Sequence, residues 1–181
     1  MLPWVNSEGG PLLLLDERDL PSWGGVVDEI EGPRTEQSFS PGGKRTDYDR
    51  ACAVRGYLGR ISVGTREALV LDDMPMQTTW LPLSGANGGM LARWMFAESE
   101  AKFLSWLQAV PRGVFHHEFR FVVERSPLIL FDSAFAGRNV RKPLVEHLLI
   151  ELDPGTYEIE TAIYQPDAKT CLVIHRFQPS T

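Results

Sequence analysis

The sequence is short of cysteine and of basic residues, and each shortage excludes a class of protein. Cys52 and Cys171 are the only cysteines among 181 residues, so a disulfide-stapled secreted scaffold is not indicated and both thiols are expected to be free in a reducing compartment. Lysine and arginine number 18 against 24 aspartates and glutamates, a net charge of −6. This balance disfavours direct nucleic-acid binding, which needs an excess of basic side chains.

Long apolar runs are also absent. The longest continuous leucine run, residues 12–15, is too short for a membrane span or an export signal, and residues 1–6 carry no basic stretch that leads into an apolar one. We therefore expect a cytoplasmic protein that does not contact membranes. With 43% apolar and 23% charged residues, the chain suits a single domain over residues 1–181.

Hydrophobic patterning predicts the α+β class, with mainly antiparallel sheet and one main helix packed on it. Helical spacing of Phe103, Leu104 and Leu107 predicts that helix at about 98–110, because acidic residues lie in its first turn and Pro111 ends it. Residues 30–47, rich in glycine, proline and charge, predict a mobile loop. Short apolar or alternating segments predict strands at 11–16, 57–63, 67–71, 79–83, 90–96, 114–124, 128–131, 148–152, 156–164 and 170–177.

Two features of these strands bear on the topology. The last three are predicted to form a meander through turns at 153–155 and 166–167. Residues 12–16, 69–73 and 128–132 read alike, as an apolar run that ends in aspartate, which indicates either common turn chemistry or a duplicated sheet unit.

The search for catalytic chemistry finds little. There is no Gly-x-Ser-x-Gly elbow and no complete phosphate-binding loop. His116 and His117 are adjacent on a predicted strand, so they point to opposite faces and cannot both reach one metal ion. The alternation places His117 among phenylalanines, as a core or boundary residue. We therefore predict no enzyme activity, no cofactor and no metal site.

Two other function classes stay open on the residues alone. A small hydrolase or metal enzyme would need histidine, cysteine and aspartate side chains that folding brings together, with His116, His147 or His175 as the candidates. A structural module would oligomerise through the exposed edges of its sheet.

Acidic and aromatic residues near predicted loops favour protein binding instead. Trp is enriched at interface hot spots, and clustered carboxylates attract a basic partner. Trp23, near a Gly-Gly pair, is predicted to be reachable from solvent. The candidate contacts are Asp28, Glu29, Glu31, Asp72, Asp73, Trp23 and Trp80.

Several strings, taken in order along the chain, resemble the immunity protein 21 family of bacterial polymorphic toxin systems. The resemblance covers most of residues 4–96 and continues more loosely towards the C terminus. It implies an α+β protein without catalytic residues that binds a cognate toxin and masks its active site, and the acidic charge would suit a basic toxin such as a nuclease. The strings are Trp4-Val5-Asn6-Ser7-Glu8-Gly9-Gly10-Pro11, Trp23-Gly24-Gly25, Asp47-Tyr48-Asp49-Arg50-Ala51-Cys52-Ala53-Val54, Tyr57-Leu58-Gly59, Ala68-Leu69-Val70-Leu71-Asp72-Asp73-Met74-Pro75 and Thr79-Trp80-Leu81-Pro82.

Overall fold

The computed structural model describes residues 2–30, 45–71, 76–83 and 87–180, with only the backbone of Glu29 and Ile30. Within these residues the strands are β1 Leu12–Asp16, β2 Glu29–Ile30, β3 Arg45–Thr46, β4 Leu58–Val63, β5 Arg66–Leu71, β6 Gln77–Pro82, β7 Gly89–Phe96, β8 His116–Val123, β9 Leu128–Asp132, β10 His147–Ile150, β11 Gly155–Asp167 and β12 Thr170–Pro179. The α-helices are α1 Asp47–Cys52, α2 Glu100–Gln108 and α3 Gly137–Val140, and 3-10 turns cover Glu17–Ser22 and Arg112–Val114.

The longer strands form two five-stranded antiparallel sheets among the described residues. Sheet I has the order β10-β9-β1-β5-β4, and sheet II has the order β6-β7-β12-β11-β8. The prediction of mainly antiparallel sheet is confirmed. The predicted C-terminal meander is wrong in one respect, because β10 pairs with β9 in sheet I while β11 and β12 pair with each other in sheet II.

The two sheets pack face to face around the main core. Leu12 and Leu14 of β1 enter this core, whereas Leu13 and Leu15 face the other side of sheet I. All four side chains are buried, and burial on both faces explains why β1 reads as a continuous leucine run instead of alternating. The similar strands β5 and β9 lie on either side of β1 and share that environment.

Short helices and turns cover the outer face of sheet I. We call this layer the cap, which comprises the 3-10 turn Glu17–Ser22, residues 23–25, α1 and α3. Its buried side chains include Leu20, Trp23, Ala51 and Val140, which pack on the outer face of β1, β5 and β9. A capping box begins α1, since Thr46 accepts a hydrogen bond from the Asp49 amide and the Asp49 carboxylate accepts one from the Thr46 amide.

Helix α2 covers the outer face of sheet II. The Ser99 side chain caps its N terminus by accepting a hydrogen bond from the Lys102 amide. Phe103 and Leu107 are its buried residues, and they pack against β7 and β12. The helix predicted at about 98–110 is present, but it is one of three short α-helices in the described chain, so the expectation of one main helix is not confirmed. None of these described helices is long and apolar enough to cross a membrane.

The predicted loop at about 30–47 falls mostly outside the described residues. At its two ends the described chain forms the two-stranded ribbon of β2 and β3, in which Glu29 pairs with Thr46, and the first residue of α1. The predicted mobility of the segment stays a prediction.

A bulge in β8 reverses the expected position of a histidine. The register pairs Phe119 with Ile159 but His117 with Glu160, which leaves one extra residue on β8. Such a one-residue shift moves every side chain beyond it to the opposite face. The His117 side chain is 57% exposed and its Nε2 lies 2.7 Å from Oε2 of Glu158. The expectation that His117 sits among core phenylalanines is therefore wrong.

Candidate functional site

Two concavities lie along one edge of the sandwich. At that edge, β4 of sheet I lies beside β8 of sheet II, and both are the last strands of their sheets. Arg60 bridges them near the middle, with its guanidinium carbon 4.6 Å from the ring centre of Phe119 and Nη1 3.5 Å from the carbonyl oxygen of Arg120. We call this surface the β4/β8 edge. A concave site lies on each side of the Arg60 bridge.

The larger concavity, which we call the Tyr57 cleft, has a volume of about 460 Å³. It forms because β11 is longer than its neighbour: β8 pairs with β11 only as far as His116 opposite Thr161. Ile163 lies beyond the last pair and is 50% exposed. The cleft lining therefore combines uncovered apolar groups with polar ones, and its residues are Tyr57, Gly113, Val114, His116, Glu118, Thr161 and Ile163.

Glu118 gives the cleft a negative charge that no other described residue neutralises. No ion pair or hydrogen bond of its carboxylate joins it to another described residue, whereas the neighbouring carboxylates are paired. Hydrogen bonds from Ser180, Arg120 and His117 lower the pKa of Glu158 to about 2. Glu160 lies 2.9 Å from Nε of Arg176. Glu118 is thus the carboxylate of β8 that is left available to a partner.

A buried polar layer lies behind the cleft. Thr161 places its Oγ1 2.9 Å from Nδ1 of His175, which is fully buried on β12. The carbonyl oxygen of Tyr57 lies 3.5 Å from Nη1 of Arg93, which is fully buried on β7. Two cleft residues are therefore tied to buried polar groups, and these contacts hold the cleft wall in place.

The His175 imidazole is held neutral by its surroundings. Burial, and secondarily the positive charge of Arg93, hold the pKa of His175 well below its usual range. Its Nε2 is buried and has no hydrogen-bond partner among the described residues. Protonation would add a second positive charge beside Arg93 in a dry interior, so the folded chain resists it.

This neutrality predicts that acid destabilises the protein in a defined window. Below about pH 6.5 the unfolded chain protonates His175 and the folded chain does not, so the unfolded state binds more protons and stability falls as the pH falls. Between pH 6.5 and 5.5 the loss is about 1 kcal/mol in the free energy of unfolding, because the unfolded histidine goes from half to almost fully protonated. Urea unfolding at several pH values measures it. In His175→Asn the loss should disappear, and parallel curves for the two proteins would contradict the prediction.

The second concavity on the edge, of about 280 Å³, has its charges already neutralised. Arg66 lines it and lies 3.0 Å from Oδ1 of Asp19 through Nη1 and 2.8 Å from Oε2 of Glu124 through Nε. The Glu124 contact joins sheet I to the end of β8, and the Asp19 contact joins it to the 3-10 turn of the cap. The Arg66 guanidinium is engaged on both sides, so this second concavity serves structural support. The Tyr57 cleft is therefore the better candidate for binding.

Comparison with known protein families assigns the chain. The family model for immunity protein 21 matches residues 3–170. The chain belongs to the immunity protein 21 family. The resemblance noted on the sequence strings is thereby confirmed and extends to almost the whole chain. No curated protein and no solved structure gives a match.

Of the two tryptophans proposed as contacts in this immunity-family chain, Trp23 is placed inside the cap. It is 2% exposed, and its Nε1 donates a hydrogen bond of 2.9 Å to the carbonyl oxygen of Ser133. The expectation of a solvent-reachable Trp23 is wrong, because the Gly-Gly pair that follows it packs the chain closely against α1 and α3. Trp80 is half-buried and meets Phe177 edge-on at 5.5 Å between ring centres.

The acidic candidates are only partly described. The Asp28 side chain is 47% exposed and binds Arg138, with Oδ2 2.5 Å from Nη1. That hydrogen bond lowers the pKa of Asp28. Glu29 is described only in its backbone, in β2. Glu31, Asp72 and Asp73 lie outside the described residues, so their role stays a prediction.

Folding does not assemble the histidines and cysteines into a reactive group within the described chain. Cys52 and Cys171 are buried and form no disulfide, and burial raises the pKa of the Cys171 thiol. Cys171 and His175 share one strand four residues apart, roughly 13 Å. His147 contacts Arg141 and the carbonyl of Val145. Among the described residues no three His, Cys, Asp or Glu side chains are grouped to hold a metal ion.

Sequence reasoning missed the cleft because its two key residues looked ordinary. Glu118 reads as the solvent face of an alternating strand, and Ile163 reads as one apolar position of a longer strand. No signal in the sequence marks the site, because the segments predicted at 114–124 and 156–164 make the first strand the longer one. In the structure β11 spans 13 residues and β8 spans 8, so the end of β11 has no neighbour on its β8 side.

Proposed function

We propose that this chain is a bacterial cytoplasmic immunity protein that binds a cognate toxin of a polymorphic toxin system and neutralises it by covering the toxin's active site. Membership of the immunity protein 21 family over residues 3–170 carries this proposal. The net charge of −6 supports a basic toxin, because complementary charge accelerates association. The β4/β8 edge supports it further, because it offers a concave surface with a carboxylate that no other described residue neutralises.

The proposal predicts inhibition of a particular kind. The purified chain should bind the toxin domain encoded beside its gene and raise the apparent KM of that domain while kcat stays unchanged, because substrate and immunity protein compete for one surface. Steady-state assays at several substrate concentrations measure this. The matched control is a non-cognate toxin, which should be unaffected.

Three outcomes separate the parts of the proposal. Failure to bind or inhibit the neighbouring toxin would remove the neutralising function. A fall in kcat at constant KM would keep neutralisation but contradict active-site masking. Turnover of a substrate by the purified chain alone would contradict the expectation that it is not an enzyme.

The same assay tests whether the acidic candidates contact the toxin. Asp28, Glu29, Glu31, Asp72 and Asp73 stay candidate contacts, together with Trp80. Asp28 is the weakest of them on physical grounds, because Arg138 already neutralises it. Single alanine variants at Asp72 and Asp73 that bind the toxin as the unmodified chain does would remove those two.

A further inference from the structure

We infer that the Tyr57 cleft receives a basic side chain, arginine or lysine, of the toxin. The inference rests on the proposed function and specifies where and how the partner is held. It combines three properties of the cleft: its shape, its charge and its rigidity.

The shape suits the insertion of one long side chain. A volume of about 460 Å³ lies within the range of roughly 300–1,000 Å³ typical of binding pockets. Val114 and Ile163 offer apolar surface on the wall. Ile163 is half exposed, because it pairs with β12 on one side but lies beyond the last pair with β8 on the other. The aliphatic stem of an arginine or lysine gains by covering such surface while its charged end stays near polar groups.

The charge selects a cation. Glu118 contributes a carboxylate without an ion-pair partner among the described residues, at the cleft that Val114 and Ile163 also line. A guanidinium or ammonium group would supply the missing hydrogen bonds to this carboxylate, and charge-assisted bonds of this kind are the strong ones. A carboxylate or phosphate would instead meet repulsion from Glu118. Arginine is also over-represented among interface hot spots.

The cleft is held in shape before any partner arrives. Its floor residue Thr161 bonds the buried His175, and the backbone of Tyr57 contacts the buried Arg93. Next to the cleft, the bridging side chain of Arg60 is occupied by Phe119 and the Arg120 carbonyl. Binding a partner therefore costs little entropy for ordering these walls, which favours affinity.

Two variants test the charge and the shape separately. Glu118→Gln removes the charge and keeps the size of the side chain. Gly113→Leu fills the cleft, and it should fold because a Cβ at Gly113 meets nothing within 4 Å. The matched controls are Glu151→Gln and Gly155→Leu. Glu151 is an exposed carboxylate just past the far end of β10, and Gly155, which pairs with Val123 at the other end of β8, likewise has nothing within 4 Å of its Cβ.

Binding is measured by titration calorimetry against a catalytically inactive variant of the toxin domain encoded beside the gene. We expect Glu118→Gln to raise Kd about 30-fold or more and Gly113→Leu to raise it about tenfold or more. Both controls should stay within about twofold. Replacing the arginines and lysines of the toxin singly should reveal one whose loss is not additive with Glu118→Gln.

The outcomes distinguish this inference from the proposed function. If the unmodified chain binds the toxin and both cleft variants bind within about twofold of it, the inference is overturned while the function stands. If only Glu118→Gln weakens binding, the charge contact stands and insertion into the cleft is overturned. If the unmodified chain does not bind, the proposed function fails. Unchanged melting temperatures verify that each variant is folded.

Discussion

Replacing Trp23 by alanine is expected to lower the free energy of unfolding by about 4 kcal/mol. Trp23 is among the largest fully buried side chains of the protein, and it packs in the cap against sheet I. The substitution leaves a cavity that the surrounding side chains fill only in part. It also leaves the Ser133 carbonyl oxygen, now bonded by Nε1 at 2.9 Å, without that donor. Urea unfolding followed by far-ultraviolet circular dichroism measures the loss.

Trp23→Phe separates the two contributions. Phenylalanine keeps most of the apolar contact but cannot donate to Ser133, so a smaller loss of about 1–2 kcal/mol is expected. Trp80, which is half-buried, serves as the comparison, and Trp80→Ala should cost less than Trp23→Ala. If Trp23→Ala left stability unchanged but weakened toxin binding about tenfold or more, the tryptophan would be an interface anchor and its place in the cap would be wrong.

The sequence predicted the strands well because their signals are local. The strands predicted at 57–63 and 67–71 are neighbours in the chain, as are those at 79–83 and 90–96, and they pair as the antiparallel hairpins β4–β5 and β6–β7. The α2 helix was expected from its spacing and its Pro111 stop. In each case the residues that make the element are neighbours in the chain, so period and turn chemistry suffice.

Features that depend on distant partners were not predicted. The bulge that turns His117 outward arises from the pairing of β8 with β11, and no residue within β8 encodes it alone. The assignment of β10 to sheet I follows from its pairing with β9. Apolar spacing tells that a face is buried, but it does not tell which neighbour buries it. The burial of Trp23 was not predicted for the same reason, because the carbonyl that accepts its hydrogen bond belongs to Ser133, 110 residues away in the sequence.

The second large effect is expected at Gly137, the first residue of α3. A Cβ there would lie 1.8 Å from the carbonyl oxygen of Leu20 in the 3-10 turn. Hydrogen bonds hold the backbone on both sides of this contact. The Gly137 amide donates a 2.8 Å hydrogen bond to the Trp23 carbonyl, and the Leu20 carbonyl accepts one of 3.1 Å from the Trp23 amide. Gly137→Ala therefore must separate α3 from the turn, and the expected cost is about 3 kcal/mol.

Gly155→Ala is the matched control for this steric cost. Its Cβ would meet nothing within 4 Å, and loss of glycine freedom in the unfolded chain should leave it equally stable or more stable by about 0.5 kcal/mol. Denaturant midpoints of the two variants measured side by side give the comparison. Equal midpoints would mean that α3 and the 3-10 turn are not in close contact.

Together, the Trp23 and Gly137 predictions bear on where a toxin can bind. If both hold, the cap is packed tightly onto sheet I, and its shape serves the core instead of a partner. Helix α2 covers much of the opposite face, with Phe103 and Leu107 buried against sheet II. With both outer faces engaged in this way, the Tyr57 cleft on the β4/β8 edge is a concave surface left to a partner. A partner that approaches there meets Glu118 and the half-exposed Ile163, which is why the decisive variants of the binding experiment are placed in the Tyr57 cleft.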